Sequence, residues 1–577
     1  MAQRTLSTFS RTTSEAGRAR TGKAENMGYE QQLPRSLSMI TILGLSFAIL
    51  GVPCGVSTTM AIGLTDGGPV TVLYGWIIVS LISLCISASL AEICSVFPTS
   101  GGVYYWSHLL STPEYATVAS WITGWLGLVG NWTVTLSINF SFALLILCAI
   151  SMFDDTYVAK DWHIVLMFWA VMLLCMVINI YGNKWLDKLN TICIWWTCAS
   201  VIIILIALLT KSGKAEKRSG KYVFSHYDAA PSGWPSGWAF FVGLLQAAYT
   251  FTGYGMVASM CDEVQNPERE VPKAMVLSVA AAAVTGIIYI VPVLFVLPDI
   301  GMLLEAPLGQ PIPVLFKTVT GSSGGGFGLL FLLLGIFLFS GVGSLTAASR
   351  CTWAFARDGA IPFSNLWVRV DKKRDVPIMA LLLSTVVDMI LGLIYFGSAA
   401  AFNAFTGCAT ICLSVSYGIP ILISLFRGRK MVENAPFSLG KFGFIINIIT
   451  VVWIAFAVVL FTMPTAIPVT ASTMNYASVV FAAFTFISAL WYVLWGRENY
   501  KGPKVTAADL GFVSDSDSDG TTVSVPPMEE KKQPLPPPPH QPQPQRQDST
   551  SGSSLGLSLG EKRASLPPAV IEPSHDT

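Results

Sequence analysis

Apolar residues along the chain fall into about twelve runs separated by short polar stretches. Each run is about 20 residues long, the length of an α-helix that crosses the hydrocarbon core of a bilayer. The pattern therefore predicts an all-α integral membrane protein with about twelve transmembrane helices. The expected spans are residues 39–63, 70–94, 116–150, 162–182, 189–210, 237–261, 274–298, 327–350, 376–397, 402–426, 442–463 and 474–496.

Polar segments flank this apolar region on both sides. Residues 1–36 are basic and rich in Ser and Thr, and residues 498–577 are rich in Pro, Ser and Asp. Neither holds enough apolar surface to fold alone, so we expect two disordered tails around a twelve-helix domain at 37–497. The Ser/Asp run at 514–519 suits an acidic-directed kinase, and Lys531 and Lys562 are candidate sites for a ubiquitin ligase.

Basic residues are concentrated in alternate loops, which predicts the orientation of the spans. The positive-inside rule places Lys- and Arg-rich loops in the cytosol. An even number of spans then puts both termini in the cytosol, and we expect the plasma membrane, with a vacuolar or other organelle membrane as the alternative. One basic loop, 211–221, disagrees with this orientation. The loops that support it lie at 184–188, 269–273, 350–374 and 427–441.

The composition excludes several classes of function. Of the 577 residues 53% are hydrophobic and only 12% are charged, with a net charge of +1. A soluble domain carries about 25% charged residues, and a near-zero net charge gives no reason to expect a nucleic-acid partner. The eleven cysteines show no C-x-x-C pair. No metal-ligand spacing, phosphate-binding loop or nucleophile–base pattern occurs, so we expect no cofactor, no metal and no enzymatic activity.

Two of the apolar runs are interrupted by glycine. The first carries G-V-P-C-G at 51–55 and the sixth carries F-T-G-Y-G at 251–255. A broken helix at membrane depth exposes backbone groups that hydrocarbon cannot satisfy, so it must line protein or a watery cavity. Interrupted spans at corresponding positions of two halves indicate a transporter's substrate site. Their opposed helix ends would attract an amine and a carboxylate, which suits an amino acid or an ω-amino acid.

Polar and aromatic residues near the breaks are further candidates. Tyr249 stands just before the second break, where it either gates the substrate or simply packs in the core. Gly124, Leu128 and Asn131 share one face of the third span. Asn131 would bind a ligand or hydrogen-bond to a neighbouring helix.

Acidic residues inside the spans are rare. Asp388 is the only acid well inside one, and it either packs against a polar partner or carries a proton. At the cytosolic ends of the helices, the ion pairs we expect are Glu263 with Arg269 and Arg350 with Asp358.

Sequence motifs throughout residues 37–503 resemble those of the amino acid–polyamine–organocation permeases, and within them the fungal amino acid/choline transporter group that includes GABA permeases. These motifs are G-L-S-F-A-I-L-G at 44–51, G-G-P at 67–69, S-L-A-E-I-C-S-V-F-P-T-S-G-G-V-Y-Y-W at 89–106, S-W-I-T-G-W at 120–125, D-E-V-Q-N-P-E-R-E-V-P at 262–272, A-F-A-R-D-G-A-I-P at 354–362, S-T-M-N-Y-A at 472–477 and N-Y-K-G-P at 499–503.

The resemblance implies a five-plus-five inverted repeat with two extra helices, in which spans one and six are unwound at the substrate and spans three, eight and ten complete the site. The first break reads L-G-V-P-C-G where relatives commonly have G-S-G. The residues that correspond to the family's substrate site are Ile49, Leu50, Gly51, Val52, Gly124, Leu128, Tyr249, Phe251, Thr252 and Gly253.

The function that the resemblance implies is proton-coupled transport of a small amine or amino acid. GABA or another amino acid is the first candidate, and choline and then a polyamine follow. The alternative from a different class is a nutrient sensor that keeps the permease fold and signals through its tails.

Overall fold

The computed structural model describes residues 32–154, 156–211, 217–397, 400–470 and 474–504. Within these ranges nearly every residue is helical and no strand occurs, although isolated bridges such as Leu37 with Val264 do. Most of the two predicted tails lies outside the described residues, and so do the 514–519 run, Lys531 and Lys562.

The described residues form twenty α-helices, joined by turns and by 3₁₀ and π segments. In chain order they are α1 (Met39–Leu50), α2 (Val52–Thr65), α3 (Pro69–Val96), α4 (Gly102–Leu110), α5 (Ala116–Phe153), α6 (Asp161–Gly182), α7 (Leu186–Lys211), α8 (Gly220–Ser225), α9 (Ser236–Gly243), α10 (Leu245–Phe251), α11 (Pro267–Phe295), α12 (Ile300–Leu304), α13 (Pro311–Thr320), α14 (Ser323–Arg357), α15 (Ser364–Trp367), α16 (Ile378–Gly392), α17 (Ala401–Phe426), α18 (Gly443–Leu460), α19 (Ala477–Trp491) and α20 (Arg497–Asn499).

Ten stretches of the described chain are long and apolar enough to cross a membrane. One of them, Asp161–Lys211, holds two helices, α6 and α7, which a 3₁₀ turn joins. The interrupted sixth span, from α9 to Glu263, is not among the ten because each of its pieces is short. With both taken into account, the structure confirms the all-α membrane fold of about twelve spans.

Local sequence explains where the helices begin and end. The Ser38 side chain caps α1 by accepting a hydrogen bond from the Thr41 N–H at 3.4 Å. Ser322 caps α14 in the same way, through the Gly325 N–H at 3.0 Å. Pro69 opens α3, where its missing N–H costs nothing.

The core is built around α5, the longest helix. It packs against α14 and α17 over much of its length, and against α4 at its first turns. Four tryptophans are almost fully buried in the bundle, so the interior holds large rings among its many aliphatic side chains. They are Trp76, Trp106, Trp121 and Trp353.

Both ends of the described chain lie on one face of the bundle, which we call the tail face. Near its start, the Leu37 N–H donates to the Glu263 carbonyl at 3.0 Å. Near its end, the buried Tyr500 hydroxyl lies 2.8 Å from that of Ser120, at the beginning of α5. The helix α2 runs away from the tail face and ends at the opposite side, which we call the far face.

Candidate functional site

The first interruption falls at Gly51, between α1 and α2. Its φ of +44° is a left-handed conformation that side chains rarely adopt, and its N–H donates to the Phe47 carbonyl at 3.1 Å. A Cβ at this position would lie 2.5 Å from the Ser340 hydroxyl oxygen. Only glycine therefore satisfies both the backbone and the packing here.

The second interruption remains helical instead of being unwound. The helix α10 ends at Phe251, and the chain continues as a 3₁₀ helix from Thr252 to Glu263. The expectation of an unwound segment is corrected to a change of helix type, which still disrupts the regular α-helical bonding. Gly253 belongs to this 3₁₀ helix, and a Cβ there would lie 2.5 Å from the Ile49 side chain.

A small cavity of about 20 Å³ lies where the two interruptions meet. A volume of this size holds about one water molecule, so the site is closed around a space smaller than any amino acid. Five of its lining residues belong to the set that the resemblance implies: Ile49, Leu50, Gly51, Tyr249 and Gly253. The remaining lining residues are Cys54, Gly55, Thr58, Val134, Ile138, Thr250, Phe337 and Ser340.

Two backbone poles face each other at Gly51. At the end of α1 the Ser340 hydroxyl donates to the Ala48 carbonyl at 2.6 Å, which leaves the carbonyl groups of Ile49 and Leu50 for a ligand. At the start of α2, Pro53 has no N–H and the Cys54 N–H donates to the Gly51 carbonyl at 2.8 Å. The acceptor pole thus offers more groups than the donor pole.

The donor pole is reduced to the N–H of Val52. This N–H comes from the L-G-V-P-C-G sequence, in which proline removes one donor. The Val52 side chain is buried and does not line the cavity. Its contribution to a site would come from the backbone alone.

Tyr249 forms part of the cavity wall. Its hydroxyl group lies 2.8 Å from the Ser137 hydroxyl on α5, and the side chain is 7% exposed. Phe337 on α14 is the other aromatic lining residue, and none of the lining side chains is charged. The cavity can therefore surround a molecule with no net charge without an additional counter-ion.

The structure places the predicted residues of the third span away from this cavity. Gly124 packs closely against the Phe355 ring, near the tail face, and Leu128 is fully buried in the core. The Asn131 amide donates to the Gly127 carbonyl within its own helix at 2.7 Å. These three residues share a face of α5 with Val134 and Ile138, which do line the cavity one to two turns further along.

Three other predicted residues also lie outside the lining. The Phe251 ring packs on Trp76 at a centroid distance of 4.5 Å, and the Thr252 hydroxyl donates to the Ala248 carbonyl, one turn earlier in the same span, at 2.6 Å. Asp388 on α16 is fully buried, and within the described residues neither carboxylate oxygen has a hydrogen-bond partner.

The lining residues that sequence reasoning missed lie on four helices: Cys54, Gly55 and Thr58 on α2, Val134 and Ile138 on α5, Thr250 on α10, and Phe337 and Ser340 on α14. Ser340 and Phe337 lie on α14, the span that the resemblance named without assigning residues. Ser340 could have been found because it is a polar residue within an apolar run. For Val134 and Ile138 no composition signal exists, because they are ordinary apolar residues.

A larger cavity of about 370 Å³ lies on the far-face side of the site. Thr58 lines both cavities, and Ala61, Ile62 and Thr65 continue the α2 wall of the larger one. The small cavity is therefore adjacent to the larger one on this side, and Thr58 borders both.

One buried and one partly buried ion pair close the tail-face side. The Arg350 Nε lies 2.9 Å from Glu263, and the Arg357 Nη1 lies 3.0 Å from Asp262. The sequence-based pairing of Glu263 with Arg269 and Arg350 with Asp358 is wrong. Asp358 instead accepts a hydrogen bond from the Tyr104 hydroxyl at 2.7 Å.

Comparison with known proteins identifies the family. The sequence model of the amino acid permeases matches residues 37–484, which is most of the chain. The chain belongs to the amino acid permease family. This permease is a membrane transporter and not an enzyme.

Several curated permeases are similar to this one over most of their length. A polyamine transporter of Saccharomyces cerevisiae is 36% identical, and the alignment covers 83% of this chain and 79% of the relative. An amino-acid permease of Oryza sativa subsp. japonica is 36% identical, with 83% and 95% covered. A choline transporter of Saccharomyces cerevisiae is 34% identical, with 82% and 83% covered.

Proposed function

We propose that this permease is a proton-coupled secondary transporter of amino acids or related amines, with GABA or a similar ω-amino acid as its substrate. The observation that carries the proposal is the meeting of two opposed backbone poles at Gly51 in an uncharged cavity. The substrate amine would lie against the carbonyl groups of Ile49 and Leu50, and its carboxylate against the Val52 N–H. A molecule with one charge of each sign needs no charged side chain in the lining.

Choline is the second candidate, because a similar transporter carries that name. A quaternary ammonium group binds to the faces of aromatic rings. The cavity offers two rings, Tyr249 and Phe337. Choline, however, has no carboxylate to place against the donor pole. We therefore rank choline below an ω-amino acid.

A polyamine ranks last, although a similar transporter is named for such substrates. A polyamine carries several positive charges, and the lining has no carboxylate to balance them. Unpaired charges in a closed site are costly. A permease-fold nutrient sensor remains the alternative in which the site binds a ligand without moving it.

We place the protein in the plasma membrane, or in a vacuolar or other organelle membrane, with the tail face toward the cytosol. The basic loops support this orientation. The loop at 211–221 remains the exception: residues 212–216 lie outside the described residues, and Arg218 donates to the Leu297 and Pro298 carbonyls just beyond the end of α11. In this orientation the larger cavity opens to the outside and the ion pairs close the cytosolic side. The structure would then correspond to a closed site that is ready to open outward.

The coupling proton is proposed to bind at Asp388. It is a fully buried acid on a membrane-spanning helix, and its oxygens have no hydrogen-bond partner among the described residues. Intramembrane acids of this kind commonly carry protons in transporters. Asp388 lies outside the cavity lining, so it would act through the packing of α16 on α14 rather than by touching the substrate.

Reconstitution tests the proposed function directly. The purified full chain in liposomes should accumulate radiolabelled GABA when an inward proton gradient is imposed, and unlabelled GABA should compete. Uptake of choline or an α-amino acid, without GABA uptake, would keep the transporter and replace the substrate. Binding without uptake of any amine would overturn the transport proposal in favour of a sensor.

A glycine variant tests the position of the site. Gly253→Leu should abolish uptake, because its side chain would meet Ile49 and fill the small cavity. The matched control is Gly328→Leu on α14, where a Cβ meets nothing within 4 Å. Both variants should reach the membrane, and only the control should transport. Normal uptake by Gly253→Leu would remove this cavity from the transport route.

A further inference from the structure

A second buried acid lies at the far face, outside the substrate cavity. Asp66 directly follows α2 and is completely buried. Within the described residues neither of its carboxylate oxygens has a hydrogen-bond partner. The Thr71 hydroxyl is close, but it donates to the backbone carbonyl of Asp66 at 3.0 Å and not to the carboxylate. A buried carboxylate in such surroundings is stable only when it is protonated or when water reaches it.

The position of Asp66 links it to the moving parts of a broken-helix transporter. Its Cβ is so near Gly243 of α9 that a Cβ on the glycine would lie 2.9 Å away. One turn earlier, Gly63 packs just as closely against the Gln246 side chain, whose amide atoms also lack partners in the described structure. We call this contact between the outer end of α2 and the α9–α10 segment the outer seam.

The outer seam joins the two half-spans that also form the substrate cavity. The helix α2 begins at the Gly51 interruption and ends at Asp66, and α10 ends at the second interruption. Thr65, the neighbour of Asp66, lines the larger far-face cavity of about 370 Å³. The larger cavity therefore reaches the residue next to Asp66.

The electrostatic surroundings of Asp66 favour its neutral form. Burial raises the pKa of Asp66 to about 8, and the nearby Ser232 hydroxyl opposes this shift. That hydroxyl is already engaged, because it donates to the Ala229 carbonyl at 2.9 Å. Burial therefore outweighs the effect of the nearby Ser232 hydroxyl.

The groups around the outer seam supply little positive charge. Tyr227 packs on Gly67, and burial followed by the Asp66 charge raises the pKa of Tyr227. The Asp228 N–H donates to the Gly67 carbonyl at 3.4 Å, which brings a second acid close by. The two short helices that pack on α2 contribute Asp299 and Glu305 at the ends of α12 and Lys317 on α13. The longer helices α3, α11 and α14 also pack on α2, and their charged residues lie toward the tail face: Glu92, Glu268, Arg269, Glu270, Lys273, Arg350 and Arg357.

We propose that Asp66 is a proton-binding site that controls the outer seam of this permease. When Asp66 is protonated, α2 and α9 pack together as observed. When it loses the proton, the carboxylate needs water, and the seam opens to admit it. Proton binding from the far face thus favours the closed seam when a substrate is bound. This coupling to transport rests on the proposed function.

The direction of the pH effect follows from linkage. An acid whose pKa is higher in the folded protein than in the unfolded chain stabilises the folded state at low pH, and this contribution is lost as the pH rises toward about 8. The packed form should therefore be most stable in acid and weaken through the neutral and mildly alkaline range.

The first test needs no substrate. The melting temperature of the purified full chain in detergent is measured from about pH 5 to about pH 9 for the wild type, Asp66→Asn and Asp154→Asn. Asp154 is the matched control, because it also caps the end of a helix at the far face but is exposed. The wild type and Asp154→Asn should lose stability as the pH rises, and Asp66→Asn should lose much less. Parallel curves for all three proteins would overturn the proposal.

The second test separates proton control from transport itself. In proteoliposomes, gradient-driven uptake by the wild type should fall about tenfold for each pH unit above about 8 on the far-face side, and uptake by Asp66→Asn should change less than about twofold. Exchange at equal pH should continue in both. If no amine is transported by the wild type, the proposed function fails while the melting curves still test Asp66. If Asp66→Asn does not fold, Ser232→Ala serves instead, and it should move the melting transition to higher pH because it removes the opposing hydroxyl. An unmoved transition contradicts the proposal.

Discussion

The buried pair of Arg350 and Glu263 should be essential for the closed tail face, and Glu263→Gln tests this. The variant keeps the size of the side chain and removes its charge. The side chains of Arg350 and Glu263 are 0% and 4% exposed, and 2.9 Å separates the Arg350 Nε from Glu263. The guanidinium would stay buried with its charge uncompensated.

The expected cost can be estimated from the structure. Removing one partner of a buried ion pair costs about 3–5 kcal/mol. Arg350 keeps two other acceptors, the Asn183 side chain at 2.8 Å and the Ser349 hydroxyl at 3.2 Å. Since these bonds still solvate the guanidinium in part, we expect the lower end, about 3 kcal/mol of the free energy of unfolding.

A second ion pair in the same chain supplies the control. Glu270 and Lys273 are 3.9 Å apart, and their side chains are 23% and 53% exposed. An exposed pair contributes about 0–1 kcal/mol, so Glu270→Gln should have little effect.

The assay is denaturant unfolding of each purified variant in the same detergent, analysed for the free energy of unfolding. A double variant, Glu263→Leu with Arg350→Met, should recover much of the loss, because replacing both charges with apolar groups of similar size avoids the unpaired charge. If Glu263→Gln is no less stable than Glu270→Gln, the tail face is not held by this pair and the reasoning is refuted.

Two substitutions near the proposed transport route give further predictions. Asp388→Asn should weaken gradient-driven accumulation in proteoliposomes and leave exchange unchanged, because it removes the proposed proton site and Asp388 does not line the cavity. Full accumulation by this variant would show that Asp388 only packs in the core. Tyr249→Phe should raise the KM for uptake about fivefold, which corresponds to the loss of one ordinary hydrogen bond, here to Ser137. An unchanged KM, with the protein at normal abundance, would show that this hydroxyl does not hold the ring in place.

The interruptions of the first and sixth spans could be predicted because their chemistry is local. Glycine within an apolar run weakens a helix in both spans, and in the first span Pro53 adds a missing N–H. The structure has the first break at Gly51 and the second at the start of the 3₁₀ helix at Thr252. What local sequence does not encode is how far a segment loosens, since the 3₁₀ geometry depends on the helices packed around it.

Which turn of α5 meets the cavity could not be predicted, for a related reason. Gly124, Asn131 and Ile138 repeat at two-turn intervals on one face, so periodicity identifies the face and not the turn that meets the cavity. Only Ile138 of these three lines the cavity. The depth is set by contacts with α14 and α17, which are far away in the sequence.

The ion pairs show the same limit of prediction from sequence more clearly. Glu263 and Arg350 were both expected to form pairs at the helix ends, but each was assigned a partner near in sequence. The actual partners are 87 residues apart. Charge and burial can be anticipated from a single span, whereas the choice of partner is a property of the assembled bundle.

The backbone origin of the poles at Gly51 has a consequence for how substrate preference can change among permeases. Every residue has a carbonyl group and every residue except proline has an N–H, so most substitutions leave these groups in place and the frame that holds a charged ligand is largely retained. Preference can then drift through the wall alone, at positions such as Val134, Ile138 and Phe337. A lineage could exchange one small amine for another in a few steps without passing through a protein that binds nothing. This separation between a backbone frame and a variable wall would explain why proteins similar to this one are named for amino acids, choline and polyamines.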